Sequence, residues 1–75
     1  IVMYPNPMSD VLNILTNGPV GIKVYDISGK LVIKVRQNQT HKGLNQLDVS
    51  LLPAGVYNFT VTYKGNTSTT KVLKK

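Results

Sequence analysis

The stretch Gly21 to Arg36 constrains this chain more than any other, because two runs of alternating apolar and polar residues flank a Ser28-Gly29 turn, the pattern of a β-hairpin. In the first run Val20, Ile22 and Val24 share one face, with Gly21, Lys23 and Tyr25 on the other. In the second, Leu31, Ile33 and Val35 oppose Val32, Lys34 and Arg36, so both arms turn an aliphatic face to one core. Gly29 reaches a positive φ without steric cost, and Asp26 accepts hydrogen bonds from backbone just downstream, which makes it a turn residue first.

The rest of the chain has the same period. Of 75 residues, 22 are Val, Ile or Thr, whereas Glu is absent and Ala occurs once, a composition poor in helix formers and rich in strand formers. Ile1 to Tyr4 reads as an edge strand stopped by Pro5-Asn6-Pro7, and Val11 to Leu15 as a second strand with Leu12 and Ile14 inward, ended by Asn17-Gly18-Pro19. Gln37 to Gly43 is a polar surface loop with His41 near its tip, followed by a short strand with Asn45, Leu47 and Val49 on one face. Ser50 to Gly55 cannot continue that strand, since Pro53 lacks a donor and Gly55 marks a special backbone position; Leu51 and Leu52 are expected to plug an end of the core. Val56 to Tyr63 is the longest strand and belongs in the middle of a sheet, with Tyr57, Phe59, Val61 and Tyr63 on its bulky face. Lys64-Gly65-Asn66 turns the chain into a terminal strand, Thr67 to Leu73.

About seven short antiparallel strands in one domain, residues 1–75, predict an all-β fold, an immunoglobulin-like Greek-key β-sandwich, with a distorted barrel as the alternative. The expected core is Leu12, Ile14, Ile22, Val24, Leu31, Ile33, Leu47, Phe59 and Val61.

Chemistry is harder to place. One histidine, three separated aspartates (Asp10, Asp26 and Asp48) and no cysteine leave no metal-ligand cluster, so no cofactor or metal is expected. Ser, His and Asp are all present without a nucleophile elbow, so the chain reads as a module that is not an enzyme. A net charge of +6 favours an acidic partner or an anionic surface as well as solubility. The cations are dispersed and no RNA-binding signature or phosphate loop accompanies them, which argues against nucleic acid. The aromatics are expected in the core, with Tyr25 the most exposed.

Four pieces in order, Tyr4-Pro-Asn-Pro7, Val24-Tyr-Asp-Ile-Ser-Gly-Lys30, Leu51-Leu-Pro-Ala-Gly-Val-Tyr57 and Lys71-Val-Leu-Lys-Lys75, cover nearly the whole chain. Together they resemble the C-terminal sorting domain of type IX secretion (Por secretion) cargo in Bacteroidetes, type A. The resemblance implies an immunoglobulin-like export tag at the end of a longer secreted precursor. It implies recognition by the type IX translocon and its outer-membrane shuttle β-barrel, and removal by a sortase-like cysteine peptidase. The implied route runs through the periplasm to the outer membrane and cell surface. Carried onto this sequence, the recognition residues are Pro5, Asn6, Pro7, Tyr25, Asp26, Gly29, Lys30, Gly55, Tyr57, Lys71, Lys74 and Lys75. Cargo, linker and cleavage junction are expected before Ile1. The rival reading is an extracellular polysaccharide-binding or structural sandwich appended to a secreted enzyme or adhesin. In either case the terminal strand, as an edge, offers backbone for strand addition, including edge-strand self-association.

Overall fold

In the computed structural model, which describes residues 1–75, the alternation resolves into seven strands: β1 Val2–Tyr4, β2 Val11–Thr16, β3 Gly21–Tyr25, β4 Leu31–Val35, β5 Gly43–Asp48, β6 Gly55–Tyr63 and β7 Asn66–Lys74. A single 3₁₀ turn, Gln37–Gln39, lies between β4 and β5. The strands form two antiparallel sheets, ordered β1-β2-β5 and β4-β3-β6-β7, consistent with the immunoglobulin-like sandwich. As expected, β6 lies inside its sheet, between β3 and β7.

The core lies between the inner faces. Leu12 and Ile14 from β2 meet Ile22 and Val24 from β3 and Tyr57, Phe59 and Val61 from β6, all buried. Burying each such side chain contributes about 1.5–3 kcal/mol, and Phe59 sits on the most central strand pair. Ile33 and Leu47, also expected there, are half-buried against this cluster. Thr16 is the one buried polar residue. Its hydroxyl donates to the Gly18 carbonyl at 2.6 Å, which meets the requirement that a buried donor be paired.

Two expectations fail at bends. Leu31 was placed in the core by strict alternation, but the β3–β4 ladder carries a bulge: Val24 pairs with Ile33 and Tyr25 with Leu31, so Val32 is an extra residue. That insertion shifts the face by one position, turning Val32 half-inward and leaving Leu31 43 % exposed. Leu51 was expected to plug the core beside Leu52; instead the turn closed by the Leu52 amide on the Val49 carbonyl projects Leu51 into solvent, 95 % exposed, while Leu52 packs on the cluster. Among aromatics, Tyr25 is half-buried, and Tyr4 on the edge strand β1 is the exposed one at 44 %.

Met8, Val20, Val49 and Val72 are fully buried core residues beyond the expected set. Val20 is held by Thr40, whose hydroxyl accepts from the Val20 amide and donates to its carbonyl, both at 2.7 Å. A side chain thus serves as one rung of a missing strand.

Candidate functional site

The hairpin motif builds a rigid turn. One Asp26 carboxylate oxygen accepts from the Ser28 amide at 2.9 Å, the Ser28 hydroxyl at 2.6 Å and the Lys30 amide at 3.0 Å. The Ser28 hydroxyl, then the Lys30 amide, hold this carboxyl below the ordinary aspartate value. Gly29, at φ +88, completes the turn. Asp48 repeats the device with the Ser50 hydroxyl at 2.6 Å and its amide at 2.9 Å, and its carboxyl is likewise lowered, chiefly by the Ser50 hydroxyl.

The Pro5-Asn6-Pro7 motif lies against the edge of β7. The Asn6 side chain accepts from the Leu73 amide at 2.9 Å and makes a longer contact, 3.5 Å, from its amide nitrogen to the Lys71 carbonyl. Met8 follows with its amide donating to the Leu73 carbonyl at 2.7 Å, and its carbonyl accepts from the Lys75 amide at 2.9 Å. The two bonds make an isolated parallel bridge between Met8 and Lys74 on the outer edge of the sheet. Pro5 and Pro7 suit such a place, because neither has an N–H to leave unpaired. Met8 anchors the segment by burying its side chain completely.

The third motif closes a loop. The buried Tyr57 turns its hydroxyl back to the Pro53 carbonyl at 2.6 Å, so Leu51 to Gly55 is tied to the first turn of β6, while Gly55 takes φ +155.

Register brings these pieces to one end of the four-stranded sheet. Gly55 pairs with Lys74, Tyr57 with Val72 and Asn58 with Lys71, and Asn58 pairs on its other side with Tyr25, which faces Leu31. Tyr25 and Lys71 therefore lie on one cross-strand row of the outer face, with Asp26, Gly29 and Lys30 in the adjoining turn and Asn6 at the far edge. Lys30, Lys71, Lys74 and Lys75 make this end basic, and the Asp26 carboxylate among them is taken up by the turn. Tyr57 is buried and serves the fold from inside. The sequence reading missed Met8; the signal lay beside the proline motif, where an apolar residue follows a segment with no donors at two of three positions.

No three His, Cys, Asp or Glu side chains come together. His41 is exposed on its loop, with Nδ1 2.9 Å from the Lys42 carbonyl. Nor do the aromatics make a platform, because Tyr57 and Phe59 are buried, Tyr4 lies on the other sheet from Tyr25, and Tyr63 lies on the opposite face of Tyr25's own sheet.

The two-sheet antiparallel sandwich thus carries its sequence motifs toward one basic end. Residues 2–75 match the family described as the secretion system C-terminal sorting domain, and the chain belongs to that family. No curated protein matches it. Membership makes the chain a C-terminal sorting signal of type IX secretion in Bacteroidetes, one that engages the secretion machinery and directs export across the outer membrane to the cell surface or beyond.

Proposed function

We propose that this domain terminates a longer secreted precursor and is the part the type IX translocon and its outer-membrane shuttle β-barrel recognise, after delivery through the periplasm. A sortase-like cysteine peptidase then removes it from the cargo. The carrying observation is the family match over residues 2–75. In this reading the contact surface is the motif-bearing end: Tyr25, Lys30, Lys71, Lys74 and Lys75 face the machinery. Pro5, Asn6, Pro7, Asp26, Gly29, Gly55 and Tyr57 hold that surface in shape through the hydrogen bonds and backbone positions described above. The domain itself carries out no chemistry.

The test is export of a periplasmic reporter fused to this domain in a type IX-competent host. Deleting Lys71 to Lys75 removes the rungs to Asn6 and Met8 together with three cations, and abolishes secretion. Lys74→Ala with Lys75→Ala leaves the Leu73 rung in place and lowers secretion only in part. Full secretion of the deletion from a folded domain refutes the reading.

A further inference from the structure

The charges divide between the two sheets. All of the nine Lys and Arg residues except Lys42 lie on the four-stranded sheet or directly beside its strands, whereas Asp10 and Asp48 belong to the three-stranded side. The whole excess of the net charge of +6 is therefore on the four-stranded side. Register then picks out one face. Ile22, Val24, Phe59 and Val61 point into the core, so Lys23 on β3 and Thr60 and Thr62 on β6, which alternate with them, point outward. Lys34 lies opposite Lys23 and Thr69 opposite Thr60, which makes one cross-strand row, Lys34-Lys23-Thr60-Thr69. In the neighbouring row Thr62 faces Thr67, with their hydroxyls 3.2 Å apart. Both lysines are exposed, and neither row contains a carboxylate.

Like charges directly opposite one another on a sheet are destabilising, so the Lys23-Lys34 pair costs the fold something and gives it nothing. An anion seated on both amines turns that repulsion into attraction. The chemistry of the rows separates the partners that could bring one. Protein interfaces are depleted in Lys at their cores and are built there on aromatic residues, Met and Arg, none of which stands on these rows. A bilayer surface calls for apolar side chains to insert, and the exposed Leu31 and Leu73 stand instead toward the motif-bearing end. Single-stranded nucleic acid calls for aromatic rings to stack on, and the rows have none. A sugar polymer bearing acid groups needs what is present, cations for its acids and the hydroxyls of four threonines for its own hydroxyls. Adjacent strands lie about 4.8 Å apart, close to the length of one pyranose ring along a chain, so a glycan laid across the strands sets successive sugars over Lys34 and Lys23.

We propose that the outer face of the four-stranded sheet binds an acidic polysaccharide, a glycan with a carboxylate on successive sugars, across the row Lys34-Lys23-Thr60-Thr69. The two lysines pair with neighbouring carboxylates, and the threonines of this row and the next hydrogen-bond the sugar hydroxyls. Every contact is polar and open to water, so affinity is low for a short oligomer, rises with chain length and falls with salt. The site lies beside the basic motif-bearing end without sharing its residues. It adds a ligand at the cell surface or beyond, to which the sorting family directs the chain, and it is independent of which protein of the machinery meets the motif-bearing end.

The experiment titrates the purified chain with polygalacturonate, with dextran as a neutral glycan and polyphosphate as a polyanion without sugar. Lys23→Gln with Lys34→Gln lowers the affinity for polygalacturonate about tenfold or more. Lys42→Gln with Lys64→Gln removes the same charge away from the face, since Lys64 lies over the ring of Tyr63 at 5.4 Å and Tyr63 is on the inner side of β6, and lowers it less than about threefold. Thr60→Val removes a hydroxyl and no charge; it weakens binding of polygalacturonate about threefold and leaves that of polyphosphate unchanged. Equal losses from the two lysine pairs reduce the effect to net charge and overturn the site. So does a parent chain that ignores polygalacturonate or binds dextran as tightly, or a Thr60→Val variant that weakens both polyanions alike. Sedimentation tests for another occupant: a dimer that Lys23→Gln with Lys34→Gln dissolves assigns the face to a second copy and overturns the glycan. The reporter fusion with the same lysine pair replaced is secreted like its parent; loss of secretion from a folded domain assigns the face to the secretion machinery and also overturns the proposal. A parent reporter kept inside the cell overturns the sorting reading alone, because the titrations do not depend on export.

Discussion

The two halves of β7 are paired to the same neighbour in the same register, yet one is closed and the other is not. From Lys71 to Lys74 the strand has a buried anchor in Val72 and an outer edge met by Asn6 and Met8. From Asn66 to Thr70 every side chain is exposed and the outer edge meets nothing. The difference comes from a segment more than sixty residues away in sequence, which shows that the Pro5-Asn6-Pro7 motif and the lysine-rich end are two parts of one structural feature. Pairing between strands supplies the ladder; what finishes an edge is a side-chain amide and one buried methionine.

The sharpest way to break the contrast is to remove the anchor of the closed half. Met8→Ala takes a fully buried side chain out of the core and frees the segment that carries the two rungs to Leu73 and Lys75, costing about 2–5 kcal/mol. Thermal melting measures it, and a loss under about 1 kcal/mol shows that the seal does not depend on this anchor.

Asn6→Ala acts on the seal alone. It removes the acceptor for the Leu73 amide and the weaker donor to the Lys71 carbonyl at a site that water reaches, so the expected loss is about 0.5–1.5 kcal/mol. Amide hydrogen exchange locates the change: Leu73 loses protection, while Thr67 and Thr69 exchange as quickly as before. Asn6→Asp keeps an acceptor for Leu73 and recovers part of the loss.

How much of this was legible in the chain follows from what each feature rests on. Strands β2, β3 and β6 announce themselves by alternation because each has one buried and one solvated face, and the Asp26-Ser28-Gly29 turn is local chemistry that needs no partner. Leu31 was misplaced because a bulge is a one-residue shift between strands, invisible to a pattern read along one of them. Leu51 was misplaced because composition states that a loop is apolar without stating which of two adjacent leucines turns inward. The seal on β7 joins Asn6 to Leu73 across almost the full length of the chain, and no periodicity reaches that far. The family motifs marked those residues; only the fold shows that Asn6 holds a strand edge and that Tyr57 ties a loop from within the core.

Acid separates the motif-bearing turn from the strand edge. The folded-state values of Asp26 and Asp48 lie below the ordinary 3.8, so the stability each contributes is present above that value and is lost as pH falls through the lower folded values. Both groups are exposed, so the change is small, and it is confined to pH below about 4. Asp26→Asn retains an acceptor oxygen for the turn and removes its share of the pH dependence, which melting curves across the acid range detect. The seal contains no carboxylate, so Leu73 keeps its protection at pH values where the turn has loosened; parallel loss at both places refutes their independence.

The smallest expected effect belongs to the open half. Thr70 lies opposite the fully buried Phe59 on the ladder, and alternation alone would put its side chain in the core. It is exposed, whereas Val72 on the same face of the strand is fully buried. Thr70→Ala therefore removes neither a buried contact nor a ladder group, and alters stability by less than about 0.5 kcal/mol. Val72→Ala, two residues on and on the same face of the same strand, removes two methyl groups from a fully buried position and costs several times as much. Measured together by denaturant unfolding, the pair compares the two halves directly. Equal losses show that Thr70 is covered in solution and that the open half of the strand is closed there by something other than the second sheet.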